Sequence, residues 1–162
     1  MTGPTSRGWP AYSAAVWALV FGAIHLAWAL GWRAGLTPGQ ARNADSSPMF
    51  VVYALAVVVL CALAVIVALG LARPRPPRSE RGARLLSVAA WAGSGVLLLR
   101  AAGSIVPALT SLVAGRSLLW ILPWEPWFWL GAALFGASTW RYHRLRRQAR
   151  DRGDADPAIA TH

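Results

Sequence analysis

The chain has 162 residues, of which 56% are hydrophobic and 14% are charged, and its formal net charge is +10. Its mean hydropathy of +0.44 excludes an ordinary water-soluble domain, because the apolar residues form long runs rather than stripes. The chain has no lysine, and its arginines cluster at the ends of these runs, which favours anionic lipid head groups over nucleic acid as the partner.

Four apolar runs predict membrane spans at about 11–32, 48–72, 85–109 and 124–142, after a short N-terminal segment, 1–10. A helix of about 20 residues crosses a hydrocarbon core of about 30 Å, and the first three runs reach that length. The fourth is short and needs its flanking residues at the interfaces. We therefore predict an all-α fold, a bundle of four transmembrane helices, with a basic and then disordered tail over 143–162.

The first run contains "GAIHLAWALGW", in which Ala27-Trp28-Ala29 matches the A-x-A form of a signal-peptide cleavage site. The apolar stretch continues through Trp32 and only Arg7 precedes it, so we expect an uncleaved first span. The single cysteine, Cys61, falls in the middle of the second run and is expected to pack as a small apolar side chain.

The arginines set the expected orientation. The link between the second and third runs, "RPRPPRSERGAR", and the tail "RYHRLRRQARDR" are rich in arginine, whereas the other two links hold only Arg33, Arg42 and Arg116. The positive-inside rule then places both termini in the cytoplasm of a bacterial cell, with a multi-pass chain in the plasma membrane.

The link between the third and fourth runs is apolar but broken by prolines and a glycine. This pattern predicts a short helix along the outer interface. Its tryptophans are expected to form part of an aromatic belt: Trp120, Trp124, Trp127 and Trp129.

Three polar residues are expected in the outer half of the bundle. His25 lies about 21 Å along the first span and Arg100 about 22 Å along the third, while Glu125 opens the fourth span from outside. An arginine within a membrane needs a partner, and we expect Glu125 first and Asp45 second.

Helical spacing predicts which residues accompany this cluster. His25 shares a face with Trp17, Phe21, Trp28 and Trp32. Arg100 is expected to point inward on a face of small residues, and so is Glu125. The residues of these two faces are Ala89, Gly93, Gly103 and Ser104 for Arg100, and Trp129, Ala132 and Gly136 for Glu125. We predict a pocket with His25, Arg100 and Glu125 as its chemical groups and Trp28, Trp32, Trp127 and Asp45 as ligand contacts.

Several functions fit this pattern. The cluster could fix helix register only, or bind a lipophilic molecule or a partner helix. Alternatively, the protein is a membrane-embedded lipid or terpenoid isomerase or cyclase, with Glu125 as general acid and tryptophans stabilising a carbocation. No cofactor and no metal site is predicted, no serine or cysteine has an evident base beside it, and a homo-oligomer is left open.

Two segments resemble a known family. "FGAIHLAWALGWRAGL" and "WEPWFWLGAALFGA" are similar to the first-span and last-span signatures of small bacterial four-span membrane proteins defined by a domain of unknown function. His25, Trp28, the Gly31/Gly35 turn and Pro126-Trp127 carry the resemblance, which covers about Tyr12 to Tyr142. It implies a four-helix bundle and no particular activity.

Overall fold

The computed structural model describes residues 8–73, 79–115 and 125–155, and this part of the chain is helical without any strand. Six helices follow one another: α1 (Trp9–Ala29), α2 (Pro38–Ser46), α3 (Pro48–Ala72), α4 (Glu80–Gly103), α5 (Ile105–Val113) and α6 (Glu125–Ala155). The predicted all-α fold is confirmed at this level. Among the described residues, three stretches are long and apolar enough to cross a membrane, namely Trp9–Ala29, Pro48–Ala72 and Glu80–Val113.

The first helix ends earlier than the apolar run does. The Gly31 N–H donates to the Trp28 carbonyl at 3.1 Å and the Trp32 N–H to the Ala27 carbonyl at 2.9 Å. This is the pairing of a Schellman motif, which needs a left-handed residue at its turn, and Gly31 supplies a φ of 104°. Trp32 therefore lies beyond the helix, although the sequence predicts it on the same helical face as His25.

A short helix, α2, occupies the link that follows. The Thr37 side chain accepts a hydrogen bond from the Gln40 N–H, and the Gln40 side chain accepts one from the Thr37 N–H. This capping box, followed by proline at the first helical position, is sufficient to begin a helix. The apolar runs do not predict α2, whose sequence signal is the T-x-x-Q pattern at Thr37 and Gln40.

The last helix extends beyond the predicted fourth span. α6 continues through Arg150 to Ala155, where the sequence predicts the beginning of a disordered tail. Arginine, glutamine and alanine all have high helix propensity, which explains the continuation after the apolar residues end. The Pro-Arg link at 74–78, the tryptophans Trp120 and Trp124, and the tail from 156 onward lie outside the described residues.

Small residues bring the helices together. α1 packs mainly against α3 and α4 mainly against α6, and α1 also contacts α6. Ala14, Ala18, Ala54 and Ala68 are buried in these contacts, and a Cβ on Gly22 would lie only 3.0 Å from the Cβ of Cys61. Cys61 is buried, as predicted. Close backbone approach through such residues is the usual basis of helix packing in lipid.

Large apolar side chains cover the outer surfaces of the long helices. On α3, Val52, Val59, Leu60 and Ile66 are all more than half exposed. Exposure of this surface to water would be unfavourable, since monomeric soluble proteins seldom expose contiguous apolar patches of this extent. The described chain thus has the surface of an integral membrane protein.

Candidate functional site

An aromatic column on α1 leads to His25. Trp17, Phe21, His25 and Trp28 are buried on one helical face, as their spacing predicts. The ring centroids of Trp17 and Phe21 are 5.4 Å apart, those of Phe21 and His25 4.5 Å, and those of His25 and Trp28 4.8 Å. The column therefore fixes the His25 ring from both sides along the helix.

His25 itself is only 4% exposed. Its Nδ1 lies 3.0 Å from the Phe21 carbonyl oxygen, and because a carbonyl can only accept, this nitrogen donates. The Tyr53 ring of α3 lies edge-on at 6.2 Å between centroids. His25 is thus oriented by its own helix and covered by α3.

Arg100 and Glu125 meet, as the sequence predicts. Arg100 Nη1 lies 3.4 Å from Glu125 Oε1, and the guanidinium also donates to the Ser104 hydroxyl. Its carbon atom lies 4.5 Å from the centroid of the Phe128 ring, a cation–π contact. The second carboxylate oxygen, Glu125 Oε2, is buried without a hydrogen-bond partner among the described residues.

The two members of this ion pair differ in exposure. The Arg100 side chain is 53% exposed and the Glu125 side chain 17%. The prediction that Arg100 points inward is therefore wrong in part, because the buried face of α4 runs through Ala83, Ser87, Ala90, Ser94 and Ala101. Arg100 lies at the edge of that face, and Gly93 and Gly103 face open space.

Two phenylalanine rings lie between His25 and the Arg100–Glu125 ion pair. Phe21, which contacts His25, packs edge-on against Phe128 with ring centroids 5.5 Å apart, and the Arg100 guanidinium lies over the Phe128 ring. The three predicted polar residues therefore lie at the same end of the structure, and two of them are in direct contact.

The predicted ligand contacts have other partners. The Trp28 indole donates to the Ala34 carbonyl at 3.0 Å, and Asp45 pairs with Arg33 at 2.9 Å rather than with Arg100. Trp32 is 54% exposed, because the Gly31 turn carries it off the helix. Trp127 stacks on Trp17 at 5.9 Å, and its carbonyl accepts the Trp17 indole N–H at 2.9 Å.

A cleft of about 690 Å³ lies at the other end, between the beginning of α4 and the later part of α6. Its polar lining consists of Glu80, Arg84, Ser87, His143 and Arg146. Ser87 Oγ lies 2.6 Å from His143 Nε2, so a serine does have a histidine beside it, contrary to the sequence-based expectation. Ser87 is only 6% exposed, which favours an interhelical link over a nucleophile presented to a substrate.

The sequence does not predict this cleft, because its lining residues come from two distant segments. Arg84, Ser87 and Trp91 share a helical face by spacing, and so do His143 and Arg146, but nothing in either segment predicts their pairing.

Among the described residues, no group of three histidine, cysteine, aspartate or glutamate side chains could hold a metal ion.

Comparison with known proteins adds no relative. No family model, no curated protein and no solved structure matches the chain. The resemblance to small four-span membrane proteins therefore stays a prediction.

Proposed function

We propose that the chain is a four-span integral membrane protein of the bacterial plasma membrane, with both termini in the cytoplasm, that binds a lipophilic molecule at its outer end. The binding residues are His25, Arg100 and Glu125. One observation carries the proposal: Glu125 Oε2 is buried without a partner among the described residues, beside a half-exposed guanidinium.

Membrane insertion of the fourth helix is supported by its packing. α6 begins at Glu125 and contacts both α1 and α4 along its apolar part, burying Ala132, Phe135 and Thr139. A helix that shares the core of two apolar spans lies at the same depth as they do. The bundle then faces the aqueous phases through its arginine-rich and polar links.

The ligand chemistry follows from the two charged groups. A buried carboxylate oxygen favours a donor, so a hydroxyl or an amine of the ligand would satisfy Glu125 Oε2. The exposed side of the Arg100 guanidinium would take an acceptor oxygen of the same head group. The isomerase or cyclase alternative is less well supported, because the tryptophans are not arranged around Glu125. The Trp28 indole donates to the Ala34 carbonyl, and the Trp127 ring stacks on Trp17.

The binding proposal is tested by mass spectrometry of lipophilic molecules that co-purify with the protein. We expect a bound molecule in the parent, and its loss in Arg100→Gln and Glu125→Gln. Arg42→Gln is the matched control, because Arg42 is exposed on α2 and belongs to the same outer end. Equal content in all variants would contradict the proposal, and a co-purifying protein instead of a small molecule would favour the partner-helix alternative.

The orientation is tested separately by labelling single cysteines from outside the cell. Gly39→Cys on α2 should be labelled, since a Cβ there meets no atom within 4 Å. Arg81→Cys at the beginning of α4 should be protected until the membrane is opened. The native Cys61 is buried and should give little background. The reverse pattern would invert the proposed topology.

A further inference from the structure

The cleft between α4 and α6 changes from polar to apolar along its length. Arg84 and Ser87 lie towards the beginning of α4, and Val88, Trp91 and Ala92 continue the same wall. At 1.5 Å per residue, Trp91 lies about 10 Å further along the helix than Arg84. Val88 is 60% exposed and Trp91 48%, so the apolar wall is open to its surroundings.

This gradient matches the dimensions of an amphiphile at a membrane interface. In the proposed arrangement, the arginines lie at the level of the cytoplasmic head groups and Trp91 lies among the acyl chains. Tryptophan and arginine side chains are the residues that membrane proteins commonly place at this boundary. The cleft therefore presents its charged end to a head group and its apolar end to a lipid chain.

The charged side chains of the cleft favour an anionic head group. Among the described lining residues, Arg84 and Arg146 carry two positive charges, against the single negative charge of Glu80. A phosphodiester carries a single negative charge and offers oxygens that guanidinium groups bind through charge-assisted hydrogen bonds. A zwitterionic lipid would leave the cleft with an uncompensated charge.

We propose that the cleft binds one anionic phospholipid, with its phosphate held by Arg84 and Arg146 and an acyl chain along Val88 and Trp91. The Ser87–His143 hydrogen bond forms the base of the site by joining α4 to α6. This inference rests on the proposed membrane arrangement and not on the outer cluster of His25, Arg100 and Glu125.

The test is native mass spectrometry of the full chain with phosphatidylglycerol or phosphatidylethanolamine of identical acyl chains. The parent should retain phosphatidylglycerol preferentially. Arg84→Gln or Arg146→Gln should weaken its binding roughly fivefold each, and the double variant roughly thirtyfold. The control is Arg147→Gln, which removes one positive charge from an exposed position on α6, next to Arg146. This variant should leave phosphatidylglycerol binding unchanged.

A second variant tests the apolar end without changing charge. Ala92→Phe should fill the cleft and reduce phosphatidylglycerol retention, whereas Ala89→Phe, at an exposed position of α4 outside the cleft, should not. Equal losses in Arg147→Gln and Arg84→Gln would show general surface attraction and overturn the site. Equal retention of phosphatidylethanolamine, or displacement of the lipid by inorganic phosphate alone, would also overturn it.

The two proposals fail separately. Equal lipophilic content in the parent, Arg100→Gln and Glu125→Gln, together with cleft-dependent phosphatidylglycerol binding, would remove the proposal for the His25, Arg100 and Glu125 site only. Loss of lipophilic molecules in Arg100→Gln with no selective lipid binding would remove the cleft proposal only.

Discussion

At the end of the bundle that holds His25, Arg100 and Glu125 meet over Phe128, next to an aromatic column that is packed tightly between α1 and α6. At the opposite end, Ser87 and His143 join α4 to α6 beneath an open cleft. Both regions combine arginine, a carboxylate and a histidine. The difference is packing: a filled site can hold a ligand only against its polar edge, whereas an open one can accept a lipid chain.

The tight packing of the aromatic column can be broken at Gly131. A Cβ there would lie 2.5 Å from Cζ2 of Trp17, whose indole donates to the Trp127 carbonyl, so Gly131→Ala must displace the Trp17 ring or one of the two helices. We expect a loss of about 1–3 kcal/mol in the free energy of unfolding, measured in detergent. Gly93→Ala is the control, because its Cβ meets nothing within 4 Å, and it should be neutral or slightly stabilising. Similar losses in both variants would contradict the packing argument.

The ion pair should respond asymmetrically. Arg100→Gln leaves the largely buried Glu125 carboxylate without its cation and should cost about 1–3 kcal/mol. Glu125→Gln leaves a half-exposed guanidinium that can reach head groups and should cost less than about 1 kcal/mol. The double variant should recover part of the loss. Thermal unfolding of the three variants in detergent checks this, and equal, additive losses would show that the pair is uncoupled.

The link between Ser87 and His143 should contribute less to stability than the ion pair, because it is a single hydrogen bond. Ser87→Ala removes the 2.6 Å contact to His143 and should cost about 0.5–1.5 kcal/mol. Ser46→Ala is the control, since the Ser46 hydroxyl bonds only within the exposed α2 and should matter little. Unfolding curves compare the two. Phosphatidylglycerol retention should fall only modestly in Ser87→Ala, because both arginines remain.

The smallest change in stability is expected at His25. Glutamine keeps a donor for the Phe21 carbonyl at similar volume, so His25→Gln should shift the free energy of unfolding by less than about 1 kcal/mol. We nevertheless expect the lipophilic molecule to be lost, because an amide cannot take up or release a proton near neutral pH as an imidazole can. Unchanged stability together with unchanged ligand content would reduce His25 to a packing residue.

Several features were predictable from residues alone. The apolar runs predicted helices, and the second run and α3 have the same bounds, Pro48–Ala72. Helical spacing placed Trp17, Phe21, His25 and Trp28 on one buried face, because 3.6 residues per turn is a local property of the chain. The cost of an isolated charge in lipid was enough to pair Arg100 with Glu125.

Tertiary structure decided the rest, because it depends on which helices become neighbours. The buried face of α4 follows Ala90 and Ser94 rather than Ala89 and Gly93, since α6 packs there and Ser94 donates to the Ala132 carbonyl. Asp45 pairs with Arg33 because α2, which contacts α3, brings Asp45 to the link that follows α1. The capping box of Thr37 and Gln40 is the sequence signal for this helix. The Ser87–His143 cleft joins segments more than fifty residues apart, and local periodicity carries no information about such a contact.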